Sequence, residues 1–532
     1  MNEEIIQQAA LALNRGDYSQ VTLLCEQILD QDEDNAEAWF FMSVVAAAGR
    51  RVAQAIKLVD KALEYDPEHI EYLSQKARYH ILLNQQSLAR EAADKAFAAK
   101  PDRALILDTL GVVYSKSGAV EKARDVFSRA VELDPDNAQF RYNLASVEKF
   151  LNNVDAAKAS YEKAIDLQPG FARAWWALSE LQQNQLDANR LERLQKELSR
   201  TQPGSEDELY LCHAISRDLE RQGNLEQAFA YLERGKQRLS DKVNYSPVQD
   251  QRLMQAAHDV FASGPLAELA HNPHPNDVAD DGKAVFVLGM PRSGTSLVEQ
   301  VINCHSQVRS LGELQEFARA VKLKSRTQGA PLLNEAVVSA AAQVNPTEIG
   351  TLYYQMLGER VPDEGRFIDK MPLNFLCVGF ILTALPRAKV VCLQRNPMDT
   401  ILSNYRQLFA PEFPGYNYHY DLADTANFYV EFHHLMAFWL ELFGERIYQV
   451  NYEALIAEPE VETRALLEYL ELPWEDQVLE FNANQEAVLT ASTLHGRQPI
   501  HKNTIGRWHD YEDLLQPAMN VLRTRGIPFE KS

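Results

Sequence analysis

Apolar residues follow two different periodicities along this chain, and the change comes near its middle. In the first 204 residues, small and large apolar residues recur with helical spacing inside a 34-residue period. The period is marked by Pro67, Pro101, Pro135 and Pro169. In the clearest unit, one predicted helix carries Leu110, Gly111 and Tyr114, and the next carries Ala123, Phe127 and Ala130.

This spacing is typical of packed helix pairs. Small residues such as Gly111 and Ala123 let two helices approach closely, and Phe127 fills the groove between them. Proline after the second helix ends it. Because one pair cannot bury its apolar face alone, we predict an all-α solenoid of stacked pairs over residues 1–204. A degenerate helix pair is predicted at 205–245.

The second half changes to a pattern of alternating strands and helices. A polar linker is predicted over 246–282, and Lys283–Gly289 then indicates a buried strand because its apolar run is nearly continuous. The apolar runs Lys389–Gln394 and Arg446–Glu453 follow segments with helical spacing. This alternation predicts an α/β domain over 283–532, whose parallel sheet has helices on both faces. Ligands of such sheets bind beyond the carboxyl ends of the strands.

Composition narrows the function classes. Of the 532 residues, 46% are hydrophobic and 24% charged, which excludes general disorder. The formal net charge of −22 argues against a broad nucleic-acid surface, although it leaves room for a local basic pocket. The five cysteines include no CxxC pair, and the acidic N-terminus does not resemble a signal peptide. With no apolar run long enough to span a bilayer, we expect a cytoplasmic protein that binds neither nucleic acid nor membrane.

Gly289–Ser296 has the composition of a phosphate-binding loop. It lies between a predicted strand and a predicted helix, with two glycines five residues apart and hydroxyl side chains at the helix start. Backbone N–H groups at a helix N-terminus bind phosphate well. The Walker A pattern requires lysine after its second glycine, where this chain has Thr295. An atypical P-loop kinase or nucleotide hydrolase stays open as an alternative.

The sequence PRSGTS, at Pro291–Ser296, resembles the 5′-phosphosulfate loop of sulfotransferases that use 3′-phosphoadenylyl sulfate (PAPS). The chain is most similar to tyrosylprotein sulfotransferases and to bacterial proteins that join tetratricopeptide repeats to a sulfotransferase domain. The 34-residue pattern resembles that repeat. The resemblance implies a P-loop-like domain that takes PAPS as sulfuryl donor, releases adenosine 3′,5′-bisphosphate and needs no metal.

The resemblance also implies which residues hold the nucleotide. Arg395 follows a predicted strand and Ser403 lies one or two turns into the next helix, so both can converge on one anion, the 3′-phosphate. The implied nucleotide-binding residues are Pro291, Arg292, Ser293, Gly294, Thr295, Ser296, Arg395, Ser403, Tyr452, Ser492 and Arg507.

The general base is identified by the same resemblance. Glu313 takes this role, since a hydroxyl is a poor nucleophile until its proton moves, and Glu316 is the alternative. Tyrosylprotein enzymes carry an arginine two residues after this base, where the present chain has Gln315. The resemblance therefore does not extend to this arginine-based route of peptide recognition.

Cationic and hydroxyl side chains complete the implied catalytic set. Lys370, Arg292 and Ser492 stabilise the charge that develops on the transferring sulfuryl group. For Lys370, an ion pair with the neighbouring Asp369 is the structural alternative.

Together these observations predict an enzyme that moves a sulfuryl group from PAPS to an acceptor hydroxyl. Protein tyrosine is one acceptor, and saccharide, lipid and small-metabolite hydroxyls stay open. The repeats are expected to bind a protein or peptide on their concave face, although a spacer or a homodimer surface is an alternative. A catalytically inactive repeat scaffold is the remaining hypothesis for the whole chain.

Overall fold

The computed structural model describes residues 2–83, 85–181, 188–243, 245–271, 282–329, 331–409, 414–480 and 504–530. The contacts between residues divide the chain into two units, Met1–Asp187 and Ala188–Ser532.

The first unit is all helical where it is described. Its helices are α1 (Asn2–Asn14), α2 (Tyr18–Leu29), α3 (Ala36–Ala48), α4 (Val52–Tyr65), α5 (Ile70–Leu82), α6 (Gln86–Ala98), α7 (Ala104–Lys116), α8 (Val120–Leu133), α9 (Ala138–Phe150), α10 (Val154–Leu167) and α11 (Ala172–Leu181).

Packing between α7 and α8 follows the pattern that the sequence predicts. A Cβ at Gly111 would lie 2.5 Å from the ring of Phe127, so only glycine lets that ring seat against the first helix. Tyr114 and Ala123 are fully buried beside them. The predicted periodic prolines follow the ends of α4, α6, α8 and α10. The prediction of an all-α repeat array is confirmed.

The second unit begins with helices rather than with the sheet. These are α12 (Ala188–Arg200), α13 (Glu206–Arg221), α14 (Leu225–Val243), α15 (Pro247–Ala262) and α16 (Pro265–His271). In the pair formed by α13 and α14, a Cβ at Gly235 would lie 2.8 Å from Cys212 Cβ, which explains the close contact of the two helices. By its contacts this pair is part of the second unit.

The region 246–282, taken as a linker from its sequence, contains two helices instead. Phe261 of α15 is 1% exposed and packs edge-on against Phe380 and Trp439, with ring centroids 5.1 and 5.3 Å away. Gly379 provides the space, since a Cβ there would lie 2.5 Å from the Phe261 ring. The apolar stripe of α15 finds its partners more than a hundred residues later in the chain, which local composition does not reveal.

A parallel sheet forms the centre of the second unit. Its described strands are β1 (Ala284–Gly289), β2 (Val308–Ser310), β3 (Arg366–Lys370), β4 (Lys389–Gln394) and β5 (Ile447–Asn451), in the order β2-β3-β1-β4-β5. Every neighbouring pair is parallel. Phe286 packs into the core on one face and Val287 into the core on the other, so β1 must be apolar at successive positions.

Helices cover both faces of this sheet, as predicted. One face holds α18 (Glu316–Ser325), α19 (Glu335–Ala341), α20 (Pro346–Leu357), α21 (Val378–Ala384), α22 (Pro397–Tyr405), α23 (Leu422–Phe443) and α26 (Gln516–Thr524). The other face holds α17 (Thr295–Asn303), α24 (Tyr452–Ala457) and α25 (Pro459–Tyr469). No helix in the described ranges combines the length and apolar character needed to cross a membrane.

Short 3₁₀ helices connect these elements. They span Gly358–Arg360, Pro372–Cys377, Pro414–Tyr420, Gly444–Arg446, Asp476–Leu479 and Arg507–Leu515.

Candidate functional site

The carboxyl ends of the five described strands meet at one edge of the sheet, and predicted site residues follow them. Arg292 lies in the loop after β1, and Glu313 lies in the loop after β2. Lys370 is the last residue of β3, Arg395 comes directly after β4, and Tyr452 directly after β5. Parallel pairing therefore gathers residues that are far apart in the chain.

The loop after β1 has the tight backbone of a binding loop. Gly289 and Gly294 have φ values of 146° and 111°, and Arg292 has a φ of 65°, which is uncommon for a residue with a side chain. A Cβ at Gly294 would lie 2.5 Å from Tyr452 Cδ2, so the close seating of that ring requires glycine. Strained residues of this kind persist where the surrounding structure holds them, and they concentrate at functional sites.

Arg292 and Arg395 lie side by side at this loop. Arg395 Nη1 donates to the backbone oxygen of Arg292 at 3.0 Å, and Arg292 Nε donates to Ser403 Oγ at 3.3 Å. The Arg395 guanidinium also lies 4.6 Å from the centre of the Tyr452 ring. One small region thus contains the residues predicted for the two phosphate ends of the donor.

The C-terminal segment closes over the same region. Arg395 Nη2 donates to the backbone oxygen of Thr504 at 2.6 Å, and the hydroxyls of Tyr452 and Thr504 are 3.0 Å apart. Asp399 fixes the backbone just after Thr504. Its carboxylate accepts from the N–H groups of Gly506 and Trp508 at 2.7 and 3.0 Å.

Sequence reasoning missed Asn404, which anchors the loop after β1. Its side-chain amide donates to the backbone oxygen of Pro291 at 2.6 Å, and the Tyr418 hydroxyl donates to its Oδ1 at 2.9 Å. The one available signal was its place next to Ser403 in the same helix. A polar side chain buried this completely must be hydrogen bonded, so its role is structural support of the loop.

A cavity of about 640 Å³ opens beside the loop. Ser293 and Arg395 line it together with Tyr429, Phe432 and Met436 of α23. Within the described part of the chain, Ser293 Oγ and Arg395 Nε are buried without a hydrogen-bond partner. The walls therefore offer polar groups ready for a ligand and aromatic surface for a flat apolar group.

An ammonium between two carboxylates occupies the other side of the site. Lys370 Nζ lies 2.5 Å from Glu313 Oε1 and 3.5 Å from Glu299 Oε2. Lys370 and Glu299 are buried, whereas the Glu313 side chain is 37% exposed. Burial raises the pKa of Glu299 above its usual value, although Lys370 and the hydrogen bond from Ser310 oppose the rise.

Two alternatives from the sequence are contradicted. Glu316, the alternative base, is buried in a salt bridge of 2.7 Å with Arg360. Asp369 is not the ion-pair partner of Lys370, because it accepts from the Tyr353 hydroxyl at 2.9 Å and from Asn374 at 3.2 Å. Successive strand residues point to opposite faces, and complete burial raises the pKa of Asp369 well above its usual value.

The remaining predicted residues are placed as follows. Pro291 and Thr295 are buried and Ser296 is half-buried in the loop and first turn of α17. Arg507 lies with its guanidinium 3.8 Å from the carboxylate of Glu220, so its role at the phosphates stays a prediction. Ser492 lies outside the described residues. Among the described residues, no group of three or more His, Cys, Asp or Glu side chains is arranged to hold a metal ion.

Comparison with known proteins matches both halves of the chain. Residues 284–476 match the model of the sulfotransferase family, and residues 12–79, 104–137 and 138–171 match tetratricopeptide repeat models. An uncharacterized protein of Aquifex aeolicus is 32% identical over 326 residues, which cover 59% of this chain and 41% of that protein.

The protein-tyrosine sulfotransferase A of Caenorhabditis elegans is 25% identical over 253 residues, which cover 46% of this chain and 64% of that protein. The chain thus spans less than two thirds of the length of these relatives. Among solved structures, Pseudomonas aeruginosa PilF is 19% identical, with a TM-score of 0.33 over 42% of this chain and 95% of its own.

Proposed function

The chain combines a sulfotransferase-family domain with tetratricopeptide repeats, and from this premise we propose that it transfers a sulfuryl group from PAPS to an acceptor hydroxyl. The observation that carries the proposal is the adjacency of Arg292 and Arg395 beside a cavity, where the Arg395 guanidinium donates to the backbone oxygen of Arg292 at 3.0 Å. Two guanidiniums at the carboxyl edge of a parallel sheet suit a ligand with phosphate groups on both sides of a ribose.

The residues present fit this donor. Ser293 Oγ and Arg395 Nε are buried polar atoms without partners in the described residues, and both belong to cavity-lining side chains. The N-terminus of α17 follows directly, so its free N–H groups and dipole favour an anion at the loop. Ser403 and Arg395 would hold the 3′-phosphate, and Arg292 with Ser293–Ser296 the phosphosulfate.

The side chains of the second cluster provide the transfer chemistry. PAPS supplies an activated sulfuryl group whose leaving group is a stable nucleotide. Glu313 has a partly exposed carboxylate that takes the proton from the acceptor hydroxyl, and Lys370 provides a positive charge for the transferring sulfuryl group. Because Lys370 is buried, water screens its charge little.

For the acceptor, we propose a hydroxyl on a protein or peptide recruited by the repeats. Two observations support tyrosine as the first acceptor to test: the named function of the Caenorhabditis elegans relative and the presence of a repeat array in the same chain. Incubating the protein with ³⁵S-labelled PAPS and a cell extract tests this assignment. Label recovered on tyrosine supports it, and label recovered on saccharide or lipid contradicts it.

Nucleotide binding tests the donor site directly. We expect adenosine 3′,5′-bisphosphate, without Mg²⁺, to raise the melting temperature of the full chain by about 5 °C at saturation. Arg395→Ala should abolish this shift, because it removes the guanidinium between the loop and Thr504. Arg387→Ala is the matched control, since Arg387 is exposed just before β4, at the opposite end of that strand.

The same experiment separates the alternatives. Stabilisation by ATP with Mg²⁺, but not by the bisphosphate, would favour the kinase or hydrolase hypothesis. Binding of the bisphosphate without any transfer of label would favour an inactive scaffold.

A further inference from the structure

Glu299 is a buried carboxylate behind the proposed transfer site. It lies on α17, the helix that follows the phosphate-binding loop, and its side chain is 3% exposed. Its Oε1 accepts from Ser310 Oγ at 2.6 Å, and its Oε2 lies 3.5 Å from Lys370 Nζ. A buried carboxylate is retained only where hydrogen bonds and a cation compensate its lost hydration.

This carboxylate is connected to the loop that carries Glu313. Ser310 Oγ, which donates to Glu299, also accepts from the backbone N–H of Gly312 at 3.1 Å. The backbone oxygen of Gly312 in turn accepts from the Lys370 N–H at 3.0 Å. One carboxylate oxygen of Glu299 therefore contacts Lys370. The other accepts from Ser310, which is hydrogen bonded to the backbone of Gly312, next to Glu313.

We propose that Glu299 is a positioning residue for sulfuryl transfer, which holds Lys370 in place when that lysine leaves Glu313 for the donor. This inference rests on the proposed function. While Lys370 is bonded to Glu313, the carboxylate that must take the acceptor proton is tied to a cation. The arrival of an anionic donor competes for the same ammonium, and Glu313 becomes free as a base when the lysine turns away.

Burial determines which carboxylate keeps the lysine. Glu313 is 37% exposed, so water can solvate its charge once Lys370 has moved. Glu299 is 3% exposed and would be left as an uncompensated buried charge. The lysine therefore stays with Glu299 and gives up Glu313, which couples donor binding to release of the base.

Transfer of label from ³⁵S-PAPS into a cell extract and binding of adenosine 3′,5′-bisphosphate test this role together. Glu299→Gln keeps the shape and the hydrogen bond from Ser310 but removes the charge. We expect it to lower the transfer rate by about tenfold or more while the Kd of the bisphosphate changes less than about twofold.

Two further variants are the controls. Glu299→Asp, which restores the charge, should recover part of the rate. Glu335→Gln, at an exposed position of α19, is the matched control and should behave as wild type.

A double-mutant cycle with Lys370 decides whether Glu299 acts through that lysine. In a Lys370→Met background, Glu299→Gln should change the transfer rate less than about twofold. Lys370→Met alone should lower the urea midpoint of unfolding, and adding Glu299→Gln should restore much of it, because no buried charge is left unpaired.

Additive effects on rate and urea midpoint would overturn the inference, as would a Glu299→Gln variant that transfers label at the wild-type rate. Equal losses of nucleotide affinity and rate would also overturn it, since they indicate a general structural role. A wild-type chain that neither binds the bisphosphate nor transfers label refutes the proposed function, and this inference with it. An active wild type with an unaffected Glu299→Gln variant refutes the inference alone.

Discussion

At the scale of single residues, Lys370 is the side chain whose removal should separate catalysis from binding. It is fully buried at the end of β3, 2.5 Å from Glu313. We expect Lys370→Met to lower the rate of label transfer by about 10²- to 10³-fold, because a preorganised charge is lost, while the bisphosphate still binds. Steady-state transfer assays and calorimetric titration measure the two effects.

Lys389→Met is the matched control for this change. Lys389 is the first residue of β4, so it lies at the amino ends of the strands, away from the site. It forms a salt bridge of 2.7 Å with the exposed Glu471. Because Glu471 is exposed to water, we expect this pair to contribute less than about 1 kcal/mol. A Lys370→Met variant with wild-type turnover would contradict the role given to Lys370.

Residues whose chemistry follows from chain position could be predicted from the sequence, and residues that act through distant neighbours could not. Arg395 directly follows β4 and Ser403 lies in α22, the next helix, so their convergence could be anticipated. Glu299 is three residues beyond Ser296, the end of the loop, and follows apolar Val298, and nothing local shows that Ser310 and Lys370 face it. Asn404 and Asp399 likewise acquire their roles only when the chain has folded.

At the scale of elements, α13 is joined to α22 by a buried ion pair. Glu220 of α13 accepts from Arg406 Nε at 2.6 Å and from the Tyr511 hydroxyl at 2.8 Å. Arg406 directly follows α22, the helix that carries Ser403. Burial alone would raise the pKa of Glu220, but Arg406 and Arg217 outweigh it and lower the pKa to about 2.

The depressed pKa predicts an acid-sensitive attachment of α13. A carboxyl group whose pKa is lower in the folded state stabilises the fold above its unfolded pKa, near 4.5, and the stabilisation is lost as pH falls toward 2. The contribution is on the order of 3 kcal/mol. We expect Glu220→Gln to reduce the free energy of unfolding by about that amount at pH 7, with the difference narrowing below pH 4.5 and vanishing only near pH 2. Urea unfolding at several pH values measures it.

Glu226→Gln, on the exposed side of α14, provides the control for acid titration in general. Its stability should follow the wild-type curve at every pH. If the curves of Glu220→Gln and wild type run parallel between pH 7 and pH 3, the ion pair does not have the stabilising role assigned to it.

Element type was predictable where the pattern is long and local. The repeat helices and strands β1, β4 and β5 follow from periodicity or continuous apolar runs. Strand β2 was missed because it has only three residues, and β3 was missed because Arg366, Asp369 and Lys370 interrupt its apolar pattern. Pairing with neighbouring strands, rather than β propensity, defines these two elements.

At the scale of the whole molecule, the helices before the sheet belong to the same unit as the sheet. The sequence suggests a boundary at residue 204, whereas the contacts divide the chain after Asp187. Lys236 of α14 illustrates the attachment, because its fully buried side-chain nitrogen donates to the backbone oxygens of His419 and Gln407 at 2.8 and 3.3 Å. These carbonyls lie between β4 and β5, 171 and 183 residues after Lys236 in the chain, so local pattern could not reveal the connection.

Truncation tests this division of the chain. A fragment of residues 188–532 should unfold cooperatively and bind adenosine 3′,5′-bisphosphate with the Kd of the full chain, because it retains Glu220, Lys236 and Phe261.

A fragment of residues 283–532, cut where the sheet begins, lacks these three residues and leaves Arg406 without its buried partner. Breaking a buried ion pair costs about 3–5 kcal/mol, a large part of the stability of a domain. We therefore expect the shorter fragment to aggregate or to bind the nucleotide at least tenfold more weakly. Equal nucleotide affinity and equal unfolding midpoints for the two fragments would show that the preceding helices are dispensable to the site.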